Sequence, residues 1–223
     1  MKRVIIIPDS FKGTLSSEEV IGIVSHELSE RFPNWQITAI PVADGGEGTV
    51  SSMVKALDGT CETVRVAGPF FRQMECIYGR KGKTAVIEVA SCAGLPLVRG
   101  NEDPSVMTTY GVGQQILKAV ENGADHIIVG LGGSCSNDGG CGLAAALGVR
   151  FTDENGKEFI PVGRSLINIE HVDVSGVKID LSRIKITAMC DINNPLYGPE
   201  GAAYVYAPQK GADEKWCRSL TKA

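Results

Sequence analysis

The chain has 223 residues, 43% of them hydrophobic, enough for one large or two small globular units with a real core. Lys and Arg total 22 against 26 Asp and Glu, with no basic run and no aromatic-basic interleaving, which argues against a nucleic-acid partner. The seven cysteines are widely spaced and form no C-x-x-C pair or zinc-spaced cluster, the apolar run Val4 to Ile7 is too short for a signal peptide, and no stretch approaches membrane-spanning length. Reduced thiols, a cytoplasmic location and no membrane partner are the resulting expectations.

In chain order, the hydrophobic periodicity predicts a strand over 3–8, a helix over 17–31, a strand over 36–42, a helix over 49–57 and a strand over 62–67. This alternation argues for an α/β fold. Ser16-x-x-Glu19 has the form of a capping box at the first helix start. Gln73 to Ala90 reads as a hairpin whose centre, Gly79-Arg80-Lys81-Gly82-Lys83, is a solvated basic turn in preference to a nucleotide contact. A helix over 105–122, a strand over 126–130, a helix over 139–147 and a strand over 149–152 follow, and Asn155-Gly156 signals a tight turn. Ile184 to Met189 reads as a strand and Asp213 to Leu220 as a helix.

Seven glycines lie between Ile127 and Phe151, with no basic side chain before Arg150. A glycine-rich turn between a strand and a helix lets backbone N–H groups approach a ligand, and anions suit such a turn. The plain alternative is a close packing corner that needs glycine and binds nothing. The polar residues Ser134, Ser136, Asn137 and Asp138 favour the ligand loop. Standard templates fail here: the loop has no G-x-x-x-x-G-K-[ST], it breaks G-x-G-x-x-G at its last position, and Ser136 stands where a G-x-S-x-G elbow needs glycine.

Asp138-Gly-Gly-Cys-Gly142 repeats the form of Asp44-Gly-Gly-Glu-Gly48. Two further acidic turns, Pro8-Asp9-Ser10 and Cys190-Asp191-Ile192, also follow apolar runs, so four strands each lead into an Asp at what an α/β fold makes a ligand edge. Helix caps and solvated loop acids are the competing explanation for each one. Clustered carboxylates, glycine-rich loops and the lysines Lys12 and Lys210 are what Mg²⁺-dependent phosphoryl transfer requires.

Five segments, PDSFKGTLS (Pro8 to Ser16), PVADGGEGT (Pro41 to Thr49), MTTYGVGQQI (Met107 to Ile116), GLGGSCSNDGGCG (Gly130 to Gly142) and CDINNPLYGPEGAAYVYAPQKGA (Cys190 to Ala212), closely resemble the signature segments of the type-1 bacterial glycerate kinases. The resemblance runs from the first residues to the last. It implies ATP-dependent phosphorylation of D-glycerate to 2-phosphoglycerate or 3-phosphoglycerate, with Mg²⁺ as cofactor and ATP as co-substrate. It also implies a flavodoxin-like domain inserted into a restriction-enzyme-like α/β domain, with the active site in the cleft between them. On that picture residues 1–70 belong to the outer domain and 71–223 to the inserted one. Family members are longer, so the C-terminal part of both domains is expected to be missing, leaving open sheet edges that favour self-association.

The resemblance also suggests roles. Gly132, Gly133, Ser134, Asn137, Asp138 and Gly139 are expected to hold the nucleotide phosphates, with Asp138 and Asp191 as metal ligands. Asp9, Ser10, Lys12, Asp44 and Lys210 are expected around glycerate, and Asp191, Asp44 and Lys12 in the chemistry. Spacing does not decide whether Asp44 or Asp191 takes the proton. Thr108 and Thr109, at a helix start, read as caps before they read as ligands.

Overall fold

The computed structural model describes residues 2–11 and 14–221. Strands β1 (Arg3–Ile6) and β2 (Gln36–Ala39) pair in parallel as a two-stranded sheet, linked by helix α1 (Ser17–Arg31). The capping box forms: the Ser16 hydroxyl accepts the Glu19 N–H at 3.2 Å, and the Glu19 carboxylate accepts the Ser16 N–H at 2.7 Å. Helix α2 (Thr49–Leu57) then leads into β3 (Thr60–Ala67), β4 (Gln73–Lys81) and β5 (Thr84–Glu88).

The short helix α3 (Ala90–Ala93), a 3-10 turn over Leu95–Val98 and helix α4 (Tyr110–Glu121) precede β6 (His126–Gly130) and α5 (Cys141–Ala146). Strands β7 (Arg150–Thr152), β8 (Glu158–Phe159) and β9 (His171–Asp173) form a small antiparallel sheet in the order β8-β7-β9, and β10 (Lys185–Met189) returns to the larger sheet. The chain closes with α6 (Ala202–Val205), a 3-10 turn over Pro208–Lys210 and α7 (Glu214–Leu220), whose N-cap Asp213 accepts the Trp216 N–H at 2.8 Å.

The larger sheet has the order β10-β6-β5-β4-β3; β10, β6 and β5 run parallel, and β4 and β3 are antiparallel. The fold is therefore mixed α/β, as expected. The division expected between residues 70 and 71 falls in the turn joining β3 to β4, two strands paired over eight residues of one ladder. The helix expected from residue 105 begins only at Tyr110. The Thr108 hydroxyl accepts the Tyr110 N–H, and the Thr109 N–H goes to Asp138, so local side-chain bonds replace a first helical turn.

The core lies between the sheet and α3 and α4, where Val66, Tyr78, Ile87, Met107, Val112, Ile116 and Ile127 are buried. Each such aliphatic side chain contributes roughly 1.5–3 kcal/mol of burial free energy. The Tyr78 hydroxyl accepts from Asn122 Nδ2 at 2.8 Å, so its polar tip is paired inside the core. Glycine brings α4 this close: a Cβ on Gly111 would lie 1.9 Å from the Ala67 carbonyl oxygen, and one on Gly113 would lie 2.3 Å from that of Leu143. The Tyr110-Gly-Val-Gly113 part of its motif is thus a packing device.

Register fixes the functional edge. Glu88 of β5 and Met189 of β10 both align with Gly130 of β6, so the three parallel strands end together and their following loops share one edge. The basic turn at Arg80 and Lys81 sits at the opposite end of β5, with Arg80 Nε donating to the Gly82 carbonyl and Lys81 Nζ to that of Asp58. It is a solvated turn.

Candidate active site

The loop after β6 is held from several sides. The Gly132 N–H donates to the Gly45 carbonyl at 3.1 Å, and the Leu131 N–H to that of Met189 at 3.2 Å. From α3, the Ala93 carbonyl accepts the Cys135 N–H at 2.8 Å, and the Leu95 N–H reaches the Gly133 carbonyl at 3.0 Å. Lys210 closes the cage, its Nζ donating to Ser134 Oγ at 2.8 Å and to the Ser136 carbonyl at 2.6 Å.

The glycines here divide into two kinds. A Cβ on Gly130 would lie 2.3 Å from the Gly45 carbonyl oxygen, and one on Gly132 would lie 2.7 Å from the Gly46 nitrogen, so these two permit one backbone to rest on another. Gly133 is different: it is exposed, its φ is +70°, and the nearest atom to an added Cβ is the Ala90 methyl at 3.4 Å. Packing explains the first pair, whereas Gly133 presents accessible left-handed backbone.

One cavity of about 410 Å³ gathers most of the expected residues: Asp44, Gly132, Gly133, Ser134, Asn137, Asp191 and Lys210 all line it. The size is that of an ordinary small-molecule site. Asp191 is exposed on the β10 loop and Asp44 is half-buried after β2, with the Gly46 N–H donating to Asp44 Oδ1 at 3.0 Å. Asn137 Nδ2 is buried with no hydrogen-bond partner among the described residues. A buried donor of that kind is costly unless a ligand acceptor meets it.

Lys210 is buried, and desolvation lowers its pKa to about 8, against the pull of Asp138, which favours the charged form. Burial likewise pushes the Cys135 thiol up to about 12, so it stays protonated at neutral pH.

Asp138 lies behind the cavity wall, 2% exposed. Its Oδ2 accepts the Thr109 N–H at 2.7 Å, the Thr109 hydroxyl at 2.8 Å and the Gly142 N–H at 3.2 Å, while Oδ1 accepts the Gly140 N–H at 3.1 Å. Four donors match the acceptor capacity of a carboxylate. Thr109 Oγ1 in turn accepts the Leu143 N–H at 2.9 Å, so Asp138 and Thr109 together tie the starts of α4 and α5. Gly139 lies in the same turn with φ +61°.

Ser10 lines a neighbouring cavity that also contains Asp44 and Gly133, and Asp9 is exposed beside it with its Oδ1 accepting the Ser10 N–H at 2.7 Å. Lys12 lies outside the described residues. Arg99, Glu47, Leu95 and Gln209, which the sequence reading passed over, line the cleft as well. Glu47 and Gln209 lie inside signature segments but carried no role there, and no motif marks Leu95 or Arg99. The one available signal was position, since Leu95 and Arg99 follow β5 at the edge where β6 and β10 also end.

Among the described residues no group of three or more His, Cys, Asp or Glu side chains is placed to hold a metal ion, and no helix is long and apolar enough to cross a membrane.

Known proteins resemble this chain over most of its length. The chain is 43% identical over 215 residues to glycerate 2-kinase of Escherichia coli K12, covering 95% of this chain and 56% of that protein. It is 43% identical over 213 residues to glycerate kinase of Bacillus subtilis 168, covering 94% and 56%. A crystal structure from Salmonella typhimurium LT2, provisionally named glycerate kinase 2, superposes with a TM-score of 0.84 at 39% identity, covering 99% of this chain and 60% of that one. The chain thus spans less than two-thirds of the length of each of these relatives. With the glycerate kinase family profile matched over residues 4–223, the chain belongs to the glycerate kinase family.

Proposed function

We propose that the cleft performs ATP-dependent phosphorylation of a D-glycerate hydroxyl, releasing ADP. The observation that carries this reading is the single cavity shared by Asp44, Asp191, the exposed Gly133 backbone, the unpartnered Asn137 amide and Lys210. Gly133, Ser134 and Asn137 hold phosphate oxygens, and the Lys210 ammonium both pins the loop and supplies positive charge. The acceptor hydroxyl oxygen forms a bond to the γ-phosphorus as the bond to the ADP oxygen breaks, and the hydroxyl proton passes to Asp191 or Asp44.

Mg²⁺ fits as part of the nucleotide complex, because it is usually held by one or two carboxylates together with phosphate oxygens, and the cavity offers those two. When bound it neutralises phosphate charge. Asp138, with its acceptor sites already used, acts by positioning the loop instead of binding metal. The likeness to the E. coli glycerate 2-kinase supports 2-phosphoglycerate as the product over 3-phosphoglycerate. Sheet membership supports a domain boundary ahead of Thr60. Exposed Ile5, Ile7 and Ile23 support self-association of these residues when isolated, which sedimentation tests.

The deciding experiment is a coupled ADP-release assay with glycerate, with related hydroxy acids and with no acceptor, followed by NMR of the product. Release with glycerate above all other acceptors is the expected result. ATP binding without turnover in any arm selects a phosphometabolite-binding module, and turnover with another hydroxy acid alone selects a different small-molecule kinase.

A further inference from the structure

The phosphate cavity does not stand alone. It shares Asp44, Leu95, Gly133 and Gln209 with a smaller cavity of about 290 Å³, which extends toward Ser10 and Arg99. Asp44 and Gly133 therefore stand at the junction of the two spaces. If phosphate rests on the glycine loop, an acceptor delivering its hydroxyl to that junction must place the rest of its carbon chain in the smaller cavity.

Among the described lining residues, acids outnumber bases in that space. Asp44, Glu47 and Glu102 bring three carboxylates, and Arg99 is the one cation among the described lining residues. Glu102 is bound to its own loop, its Oε1 accepting the Gly100 N–H at 2.9 Å, and backbone N–H groups with help from Arg99 hold its carboxyl below the usual range. It stays ionised at neutral pH. Among the described lining residues, the guanidinium is the one group that attracts an anionic acceptor.

Arg99 is placed to answer that need. It follows the 3-10 turn anchored by buried Val98, its side chain is exposed to the cleft, and no hydrogen bond or ion pair among the described residues engages it. Lys210, the cation of the adjoining cavity, already spends two donors on Ser134 and Ser136. A guanidinium also matches a carboxylate in shape, offering two parallel N–H donors where an ammonium offers a point charge.

We propose that Arg99 is the acceptor-selecting residue: in the smaller cavity it binds the carboxylate of a short hydroxy acid side-on, aiming the hydroxyl at the junction of Asp44 and Gly133. The assignment rests on the glycerate reading and adds to it the group that makes an acid, and not a neutral polyol or amide, the acceptor.

Isothermal titration of wild type, Arg99→Met and Arg99→Lys with D-glycerate, its uncharged amide and ATP tests it. Losing a charge-assisted pair should weaken D-glycerate about 30-fold in Arg99→Met, with the amide and ATP unchanged within about threefold and partial recovery in Arg99→Lys. Thermal melts of both variants should match wild type. If wild type binds D-glycerate and Arg99→Met binds it equally well, or loses the amide in equal measure, Arg99 is not the selector and the glycerate reading survives. If wild type binds ATP but no D-glycerate, both fall together.

Discussion

Two turns of the same written form, Asp44-Gly-Gly-Glu-Gly48 and Asp138-Gly-Gly-Cys-Gly142, end up with opposite work. Both precede a helix whose first residue follows a glycine in the left-handed region, Gly48 at φ +90° and Gly140 at φ +76°. The difference lies in who satisfies the helix start. For α2 the acceptor comes from another strand: Glu88 of β5 receives the Val50 N–H at 3.3 Å, and its burial raises its pKa against the pull of those N–H groups. Asp44 accepts the Gly46 N–H within its own turn and lines the cleft. For α5 no such outside carboxylate serves among the described residues, and Asp138 itself turns inward to take the Gly142 N–H together with Thr109, which precedes α4. A motif therefore specifies a backbone shape, and its neighbours decide whether its carboxylate is buried in the fold or lines the cleft.

The sharpest way to break this comparison is to replace each carboxylate by its amide. Asp138→Asn puts an amide nitrogen, a donor, among four donors, and should cost on the order of 3 kcal/mol of folding stability, read as a lower denaturation midpoint. An unchanged midpoint with lost Mg²⁺-dependent turnover would return Asp138 to the metal. Asp191→Asn should leave the midpoint within about 0.5 kcal/mol, and Asp191→Asn and Asp44→Asn should each lower turnover roughly 10²-fold, as base or metal-ligand losses do. Of those two, the variant whose residual rate no longer depends on Mg²⁺ concentration identifies the metal-linked carboxylate. Near-normal turnover in either removes that residue from the chemistry.

The same contrast explains how far the sequence could be read. Helices over Ser17–Arg31 and Thr49–Leu57 and the strand His126–Gly130 lie where periodicity and capping predict them, because their signals are local. The pairing of β3 with β4 was not legible in the same way. An alternation of strands and helices says nothing about which strand joins which sheet, and β3 lies at the far edge of a sheet whose other end is β10, more than a hundred residues away. Asp138 was legible as a residue of the site but not as its brace, since the partner that fixes it, Thr109, is 29 positions distant. Arg99 carried no motif, and its place in the cleft follows only from where β5 ends.

A smaller effect separates the glycines that pack from the one that faces the cleft. Gly132→Ala should lower stability because the new methyl meets the Gly46 backbone at 2.7 Å, whereas Gly133→Val meets no close backbone but is strained at φ +70°, so its ATP affinity is read on the folded fraction. The expected result for Gly133→Val is roughly tenfold weaker ATP binding by its folded fraction, from lost phosphate approach. Normal ATP affinity in its folded fraction would make the whole loop a packing corner.

The smallest predicted effect is a pH dependence from Lys210, and its sign runs two ways at once. Burial lowers its pKa to about 8 in the native state, below the unfolded value near 10.4. Between those values the unfolded chain binds more protons, so this residue's contribution to stability rises as pH increases through that window and is at its least below about pH 8. The neutral amine keeps two N–H donors, enough for Ser134 Oγ and the Ser136 carbonyl, so the loop holds its shape while the positive charge disappears. ATP affinity should then fall a few-fold from about pH 7 to pH 9 even as the midpoint of unfolding rises. Lys210→Met, which has neither charge nor proton to lose, should flatten both curves. Cys135, pushed to about 12, stays protonated throughout the measured range. A wild-type ATP affinity that is level across this window would show that the ammonium braces the loop without its charge reaching the phosphates.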